Sequence, residues 1–206
     1  TPSLINVSVA STVKVSYAIT VLKDLLKTDC STDFRKSENM QTKTGVNAEK
    51  LQQFYKNIKV EHGVFTVLSR GDKAEAFTGE FYQTANINTI PSINETQALQ
   101  YAKGFVGASK YAWEQAKEAR DAETNLLRKQ LYNSEYEKLL PVGQLVIVKD
   151  VSQSGVIDLA YKFNVYAGVP LSRGFVYVNA HTGKIMLYDK IIKHLSPDQH
   201  KDVTFS

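Results

Sequence analysis

Apolar and polar positions change their rhythm several times along this chain. From Leu159 the residues run LAYKFNVYAGVPLSRGFVYVNAHTGKI. Tyr161, Phe163 and Val165 alternate with Lys162, Asn164 and Tyr166, the period of a strand with one buried face. Gly168 and Pro170 break that run, and Phe175 to Ala180 resumes it. His181-Thr182-Gly183 turns, and Lys184 to Tyr188 returns. Gly183 supplies the positive φ that such a hairpin needs. With the short apolar run Leu145–Lys149, residues 157–193 are predicted to form a C-terminal antiparallel sheet.

The first half repeats the strand rhythm with different punctuation. Residues 1–14 are rich in Ser, Thr and Val and read as an extended, loosely held arm. Tyr17, Ile19, Leu22, Leu25 and Leu26 fall near helical spacing, which predicts a short helix over about residues 16–28. Thr32 to Lys43 reads as a polar edge strand, and Leu51 to Val60 as a second strand. Val64 to Ser69 and Lys73 to Tyr82 form a hairpin across Arg70-Gly71-Asp72. That tripeptide spells an adhesion motif, but Gly-Asp is ordinary hairpin punctuation and is read as such.

Asn86 to Pro91 reads as a linker. Ser92 and Glu95 have the spacing of a capping box. Ala98, Leu99, Ala102, Phe105 and Val106 then make one apolar stripe that Gly107 stops, so residues 93–106 are predicted to be an amphipathic helix on a sheet. Tyr111 to Leu140 is helical in composition, with Trp113, Ala116, Ala119, Leu126, Leu127 and Leu131 as its apolar positions. It reads either as a partner-binding helix or, preferably, as a solvated face over a core stripe, and Pro141 ends it. The expected fold class is α+β: two antiparallel-sheet-plus-helix modules with a helical connection.

Composition narrows the functional classes. A chain of 206 residues holds one large domain or two small ones. Its +4 charge comes from 25 basic and 21 acidic residues with no basic block, which argues against a nucleic-acid stripe. Cys30 is the sole cysteine, so no intrachain disulfide can form. No apolar run approaches the roughly 18 residues of a membrane span. The opening Thr1-Pro2 fits removal of a preceding segment such as a signal peptide.

Catalytic chemistry is not visible. The histidines are His62, His181, His194 and His200, with no H-E-x-x-H and no Cys/His cluster at metal-binding spacing. His194 and His200 flank Asp198, but Ser196-Pro197 breaks any helix that would align them. His181 reads as a solvated turn residue. No nucleophile elbow, Walker loop or dinucleotide fingerprint occurs. No catalytic, cofactor-binding or metal-binding residue is assigned, and the chain is expected not to be an enzyme.

Two segments carry a resemblance. LAYKFNVYA, an arginine, then YVNAHTGKI is similar to the PepSY module of propeptides of thermolysin-like zinc metallopeptidases. Members usually read close to "YVDAxTGEI"; Asn179 and Lys184 stand at the acidic positions. LQQFYKNIKVEHGVFTVLSRGDKAEAFTGEF, Leu51 to Phe81, resembles the fungalysin/thermolysin propeptide (FTP) module, with Asn57 where the family often has Gly. On this resemblance residues 1–90 form an FTP-like module with a leading arm. Residues 91–193 form a PepSY-like module that includes the helical connection, and residues 194–206 an irregular tail.

The resemblance implies a secreted or periplasmic propeptide that is an intramolecular chaperone and inhibitor. Its partner would be the catalytic domain of a thermolysin-like peptidase, which would hold the zinc and calcium that this chain lacks. The tail residues Val203, Thr204, Phe205 and Ser206 would occupy the partner's cleft as a strand, with the Ser206 carboxylate at its zinc. Tyr82, Arg173, Tyr177 and Tyr188 are interface candidates, because aromatic residues and Arg are enriched at interfaces. Two other readings stay open: a free-standing binding or inhibitory protein of the cell envelope, and a small-ligand carrier.

Overall fold

The computed structural model describes residues 3–8 (backbone only), 13–41, 45–153 and 155–191. In chain order the elements are β1 (Ser3–Ser8), α1 (Ala18–Leu26), β2 (Thr32–Gln41), β3 (Val46–Tyr55), β4 (Ile58–Arg70) and β5 (Lys73–Phe81). They continue with α2 (Glu95–Val106), β6 (Lys110–Tyr111), α3 (Ala112–Ala122), α4 (Leu126–Leu139), β7 (Gln144–Lys149), β8 (Ile157–Val169), β9 (Ser172–Asn179) and β10 (Ile185–Lys190). The class is α+β, and the strands form one sheet.

The sheet runs β1-β5-β4-β7-β8-β9-β10, with β3 and then β2 on the other edge of β4 and β6 against β8. Strand β4 is therefore shared by the two halves of the chain. Its later residues, from Phe65 to Arg70, pair antiparallel with β5. Its first residues pair parallel with β7, at Lys59↔Val146 and Val60↔Ile147. The remaining strand pairs are antiparallel.

Three local expectations are corrected. The strand expected from Leu51 to Val60 is two strands, broken at Lys56-Asn57 with φ of 47° and 66°. Two consecutive positive φ values are the signature of a type I′ hairpin turn, and Asn tolerates that region better than most residues. The arm expected at residues 1–14 includes β1, which pairs along β5 from Ser3↔Phe81 to Ser8↔Ala76. The helix cap is Asn94 rather than Ser92. Asn94 Oδ1 accepts from Gln97 N at 2.9 Å, and Gln97 Oε1 accepts from Asn94 N at 3.0 Å. Ser92 lies in a bend before the helix, and the Ser92 and Ile93 amides both donate to the Ala180 carbonyl.

The stretch expected to be one helix from Tyr111 to Leu140 is two. It breaks after Ala122, and Asn125 restarts it by accepting from the Leu127 and Arg128 amides. Trp113 and Ala116 point inward, as expected for a core stripe. Leu126, Leu127 and Leu131 do not: they are 78%, 74% and 71% exposed, and α4 buries no residue fully.

Among the described residues the sheet carries three buried clusters, two of which include helix residues. In the first, Ala18, Leu22 and Leu26 recur every four residues on α1 and cover Phe34, Leu51, Phe65, Phe77 and Phe81. In the second, Ala98 and Ala102 of α2 lie on Leu159, Phe163, Val165, Val176 and Val178. Small residues on that helix let it sit close to the strands. Tyr55, Val60 and Tyr82 from the first half belong to this second core, so the halves interlock.

Candidate partner-binding surface

Surface in the first half depends on a distortion in β4. Its register against β3 jumps between Gln52↔Val64 and Phe54↔Lys59, and His62 lies at φ 64°. The extra residues leave carbonyls without strand partners. The Gln52 amide nitrogen fills the gap, at 2.6 Å from the Val60 carbonyl and 3.0 Å from that of Gly63. Gln53, with no exposed surface, donates to the Tyr82 carbonyl at 2.8 Å and accepts from the Tyr82 amide at 3.2 Å. A shallow depression of about 680 Å³ opens beside it, lined by Ser37, Glu38, Lys50, His62, Glu80 and Tyr82 among others. Gly79 keeps β4 and β5 in close approach: a Cβ there would stand 2.2 Å from the Val64 carbonyl oxygen.

A second constellation ties the linker to the β9–β10 turn. Asn179 Oδ1 accepts from the His181 and Thr182 amides at 2.9 and 2.8 Å, an Asx turn. The same side chain donates from Nδ2 to Asp158 Oδ2 at 2.9 Å. His181 is not a free turn residue. Its Nδ1 lies 3.2 Å from Ser92 Oγ, and its Nε2 lies 3.2 Å from the Asn88 carbonyl. A carbonyl can only accept, so Nε2 carries a proton, and Nδ1 and the Ser92 hydroxyl share the other hydrogen bond. Gly183 turns at φ 75° with its α-carbon against the Tyr101 ring.

The two halves also share a buried ion cluster. Glu61 of β4, 5% exposed, receives Lys162 Nζ of β8 at 2.9 Å and Lys59 Nζ at 3.4 Å. Lys162 Nζ lies over the rings of Phe175 and Tyr177 at 4.4 and 5.4 Å. Burial pushes the Glu61 carboxyl up, but the two lysines outweigh it and hold the group below its ordinary range. Burial likewise opposes the charge on Lys162, and Glu61 reverses the effect and raises its pKa.

The strands of the first half have a recognisable pattern as well as a geometry. Residues 32–81 match the family model of the Fungalysin/Thermolysin Propeptide Motif. Its limits coincide with the start of β2 and the end of β5. The Gln52–Gln53 pair, the β3–β4 turn and the β4 distortion all fall inside it. No curated protein matches the chain. Among solved structures it is similar to the Bacillus megaterium YpeB C-terminal domain, at 12% identity over 90% of this chain and 69% of that one. The TM-score of 0.38 is too low to carry an argument.

Beside the propeptide motif, the four interface candidates prove to be packed residues. Tyr82 and Tyr177 are 4% and 2% exposed, so each offers little area to a partner, Tyr82 only at the floor of that depression. The Tyr82 hydroxyl donates to Glu80 at 3.0 Å, and burial, aided by that carboxylate, pushes its pKa up to about 12. Tyr188 is half-buried edge-on against Phe105, ring centroids 5.4 Å apart. Arg173, also half-buried, donates to Asn164 at 3.1 Å and lies over the Tyr166 ring. In each case an aromatic or Arg that looked available from sequence is held by the core or by a neighbour. The tail residues Val203, Thr204, Phe205 and Ser206 lie outside the described residues, as do His194 and His200.

Sequence reasoning missed the exposed leucines of α4. The Thr124-Asn125-Leu126-Leu127 step was the available signal, since Asn is a strong N-cap. A helix restarting at Asn125 no longer has to continue the inward stripe of α3. Among the described residues no group of three or more His, Cys, Asp or Glu could hold a metal ion. No described helix is long and apolar enough to cross a membrane.

Proposed function

We propose that this chain is the propeptide of a secreted thermolysin-like zinc metallopeptidase, where it is an intramolecular chaperone and an inhibitor. The propeptide motif at residues 32–81 is the observation that carries this reading. In the proposal residues 1–90 are the motif's module with its leading arm, residues 91–193 a PepSY-like module, and residues 194–206 a tail. Zinc, and calcium, belong to the partner's catalytic domain. This chain contributes shape and not reactive groups.

The physical logic has two steps. A large secreted protease is held native by a kinetic barrier, and a prefolded surface that binds its folding transition state lowers that barrier. The same surface then stays bound, while Val203 to Ser206 fill the cleft as an extended segment. Covalent connection gives a high effective concentration, which cleavage removes.

The decisive experiment refolds a denatured thermolysin-like catalytic domain from the same genome with and without this chain. Recovery of activity only in its presence is expected. Equal recovery in both arms would remove the chaperone role. Deleting Lys201 to Ser206 is expected to weaken inhibition of the native peptidase while leaving thermal unfolding unchanged.

A further inference from the structure

A cleft of about 410 Å³ lies between α3, α4 and the turn that joins β8 to β9. Alanines of α3, among them Ala116 and Ala119, line it and leave it open. Tyr132 of α4 and Tyr166 of β8 contribute aromatic rings, and Gln115 and Glu135 contribute polar ends. The Gln115 amide packs directly on Gly168, where a Cβ would stand 2.6 Å from Gln115 Oε1.

Among the described residues Glu135 is the only charged one lining the cleft. Its acidic neighbours on the same helical hairpin are all engaged. Glu114 is bridged to Lys103 at 2.9 Å, Glu118 to Lys110, and Asp121 to Arg120 at 2.8 Å. Glu123 accepts from the Asn125 amide, and Glu137 accepts from Asn133 at 2.8 Å. Among the described residues Glu135 has neither an ion pair nor a hydrogen bond. The nearest guanidinium over a cleft ring, Arg173 at 5.3 Å from the Tyr166 centroid, is committed to Asn164 and does not line the cleft.

A negative charge at the mouth of a space walled by tyrosine rings favours a cation. It supplies Coulomb attraction, and the two tyrosines in the lining are residues that a cation can pack against. Leu131, one turn before Glu135 on α4, is exposed and would be covered as a partner seats. We infer that this cleft receives a basic side chain, Arg or Lys, of the partner protein, with Glu135 as its counter-ion. The partner is the peptidase domain of the proposed function, on which this inference rests.

Two measurements test it. In the first, the isotopically labelled full chain is titrated with N-acetyl-argininamide and, separately, with neutral N-acetyl-citrullinamide, following backbone amide shifts. Saturable shifts at Gln115, Tyr132, Glu135 and Gly168 with the cation alone are expected, and Glu135→Gln should abolish them. Equal shifts with both probes, or none with the cation, would overturn the site. In the second, the chain inhibits a thermolysin-like catalytic domain from the same genome. Glu135→Gln is expected to weaken inhibition about tenfold and Glu137→Gln by less than about twofold, both folding normally. Unchanged inhibition by Glu135→Gln would overturn the occupant. If the unaltered chain fails to inhibit at all, the propeptide reading falls and takes this partner with it, while the titration still decides whether the cleft binds a cation.

Discussion

The side chain of Gln53 pairs with the backbone of Tyr82 as though it were a further strand, donating at 2.8 Å and accepting at 3.2 Å. No exposed surface remains on Gln53, so water cannot replace either bond. An amide satisfies both partners at once, whereas an ionised carboxylate can only accept. Gln53→Ala is therefore expected to cost about 2–4 kcal/mol, from the cavity plus the stranded amide and carbonyl of Tyr82. Gln53→Glu keeps the shape but turns an acceptor toward the Tyr82 carbonyl, and should destabilise comparably at neutral pH. Urea unfolding checks both.

The cluster of Glu61, Lys59 and Lys162 predicts an acid limb in stability. The folded Glu61 pKa is lowered, so its contribution is complete above the ordinary carboxylate range and is lost as pH falls through the lowered value. Lys162→Met should remove about 3 kcal/mol at pH 7 by leaving Glu61 buried beside Lys59 alone. The double variant Glu61→Leu/Lys162→Met should recover most of that loss. A double variant no better than the single one would show that the pair does more than neutralise itself.

Asn179 predicts the opposite slope. Its amide donates to Asp158 while its oxygen holds the turn amides. Asn179→Asp would keep the turn and set two carboxylates at hydrogen-bond distance. One of them must then titrate with a raised pKa. The sign follows: stability is present while that proton is bound, and is lost as pH rises through the raised value. We expect a loss of about 1–3 kcal/mol at pH 7 that shrinks near pH 4. Adding Asp158→Asn should restore neutral stability, as read by thermal unfolding at both pH values.

Replacing Leu126, Leu127 and Leu131 together by Gln should change folding stability by no more than about 0.5 kcal/mol. Gln and Leu have similar helix propensity, and the leucines are not part of a core. A large drop in melting temperature would mean that they are covered in solution.

Much of this architecture was legible in the chain. The alternation of Tyr161, Phe163 and Val165, the turn at Gly183 and the stripe through Ala98 and Ala102 each encode local structure in local spacing. The motif strands were legible too, because their turn residues and aromatics occur in a fixed order. What escaped depended on distance. The partners of Lys162 and Gln53 lie 101 and 29 residues away, and periodicity carries no information about them. Tyr82 and Tyr177 looked like surface aromatics because residue type was read without its neighbours. The α3–α4 break escaped because a helical composition continued through it, while one cap residue decided where the second helix began.

Strand β4 has a consequence for how the molecule would come apart. Its opening residues hydrogen-bond to one half and its closing residues to the other, with Glu61 clasped to Lys162 between them. The connection at residues 85–91 is thus not what holds the halves together. A protease that nicked it would yield two fragments that still elute as a single species, parting only when denaturant melts the seam.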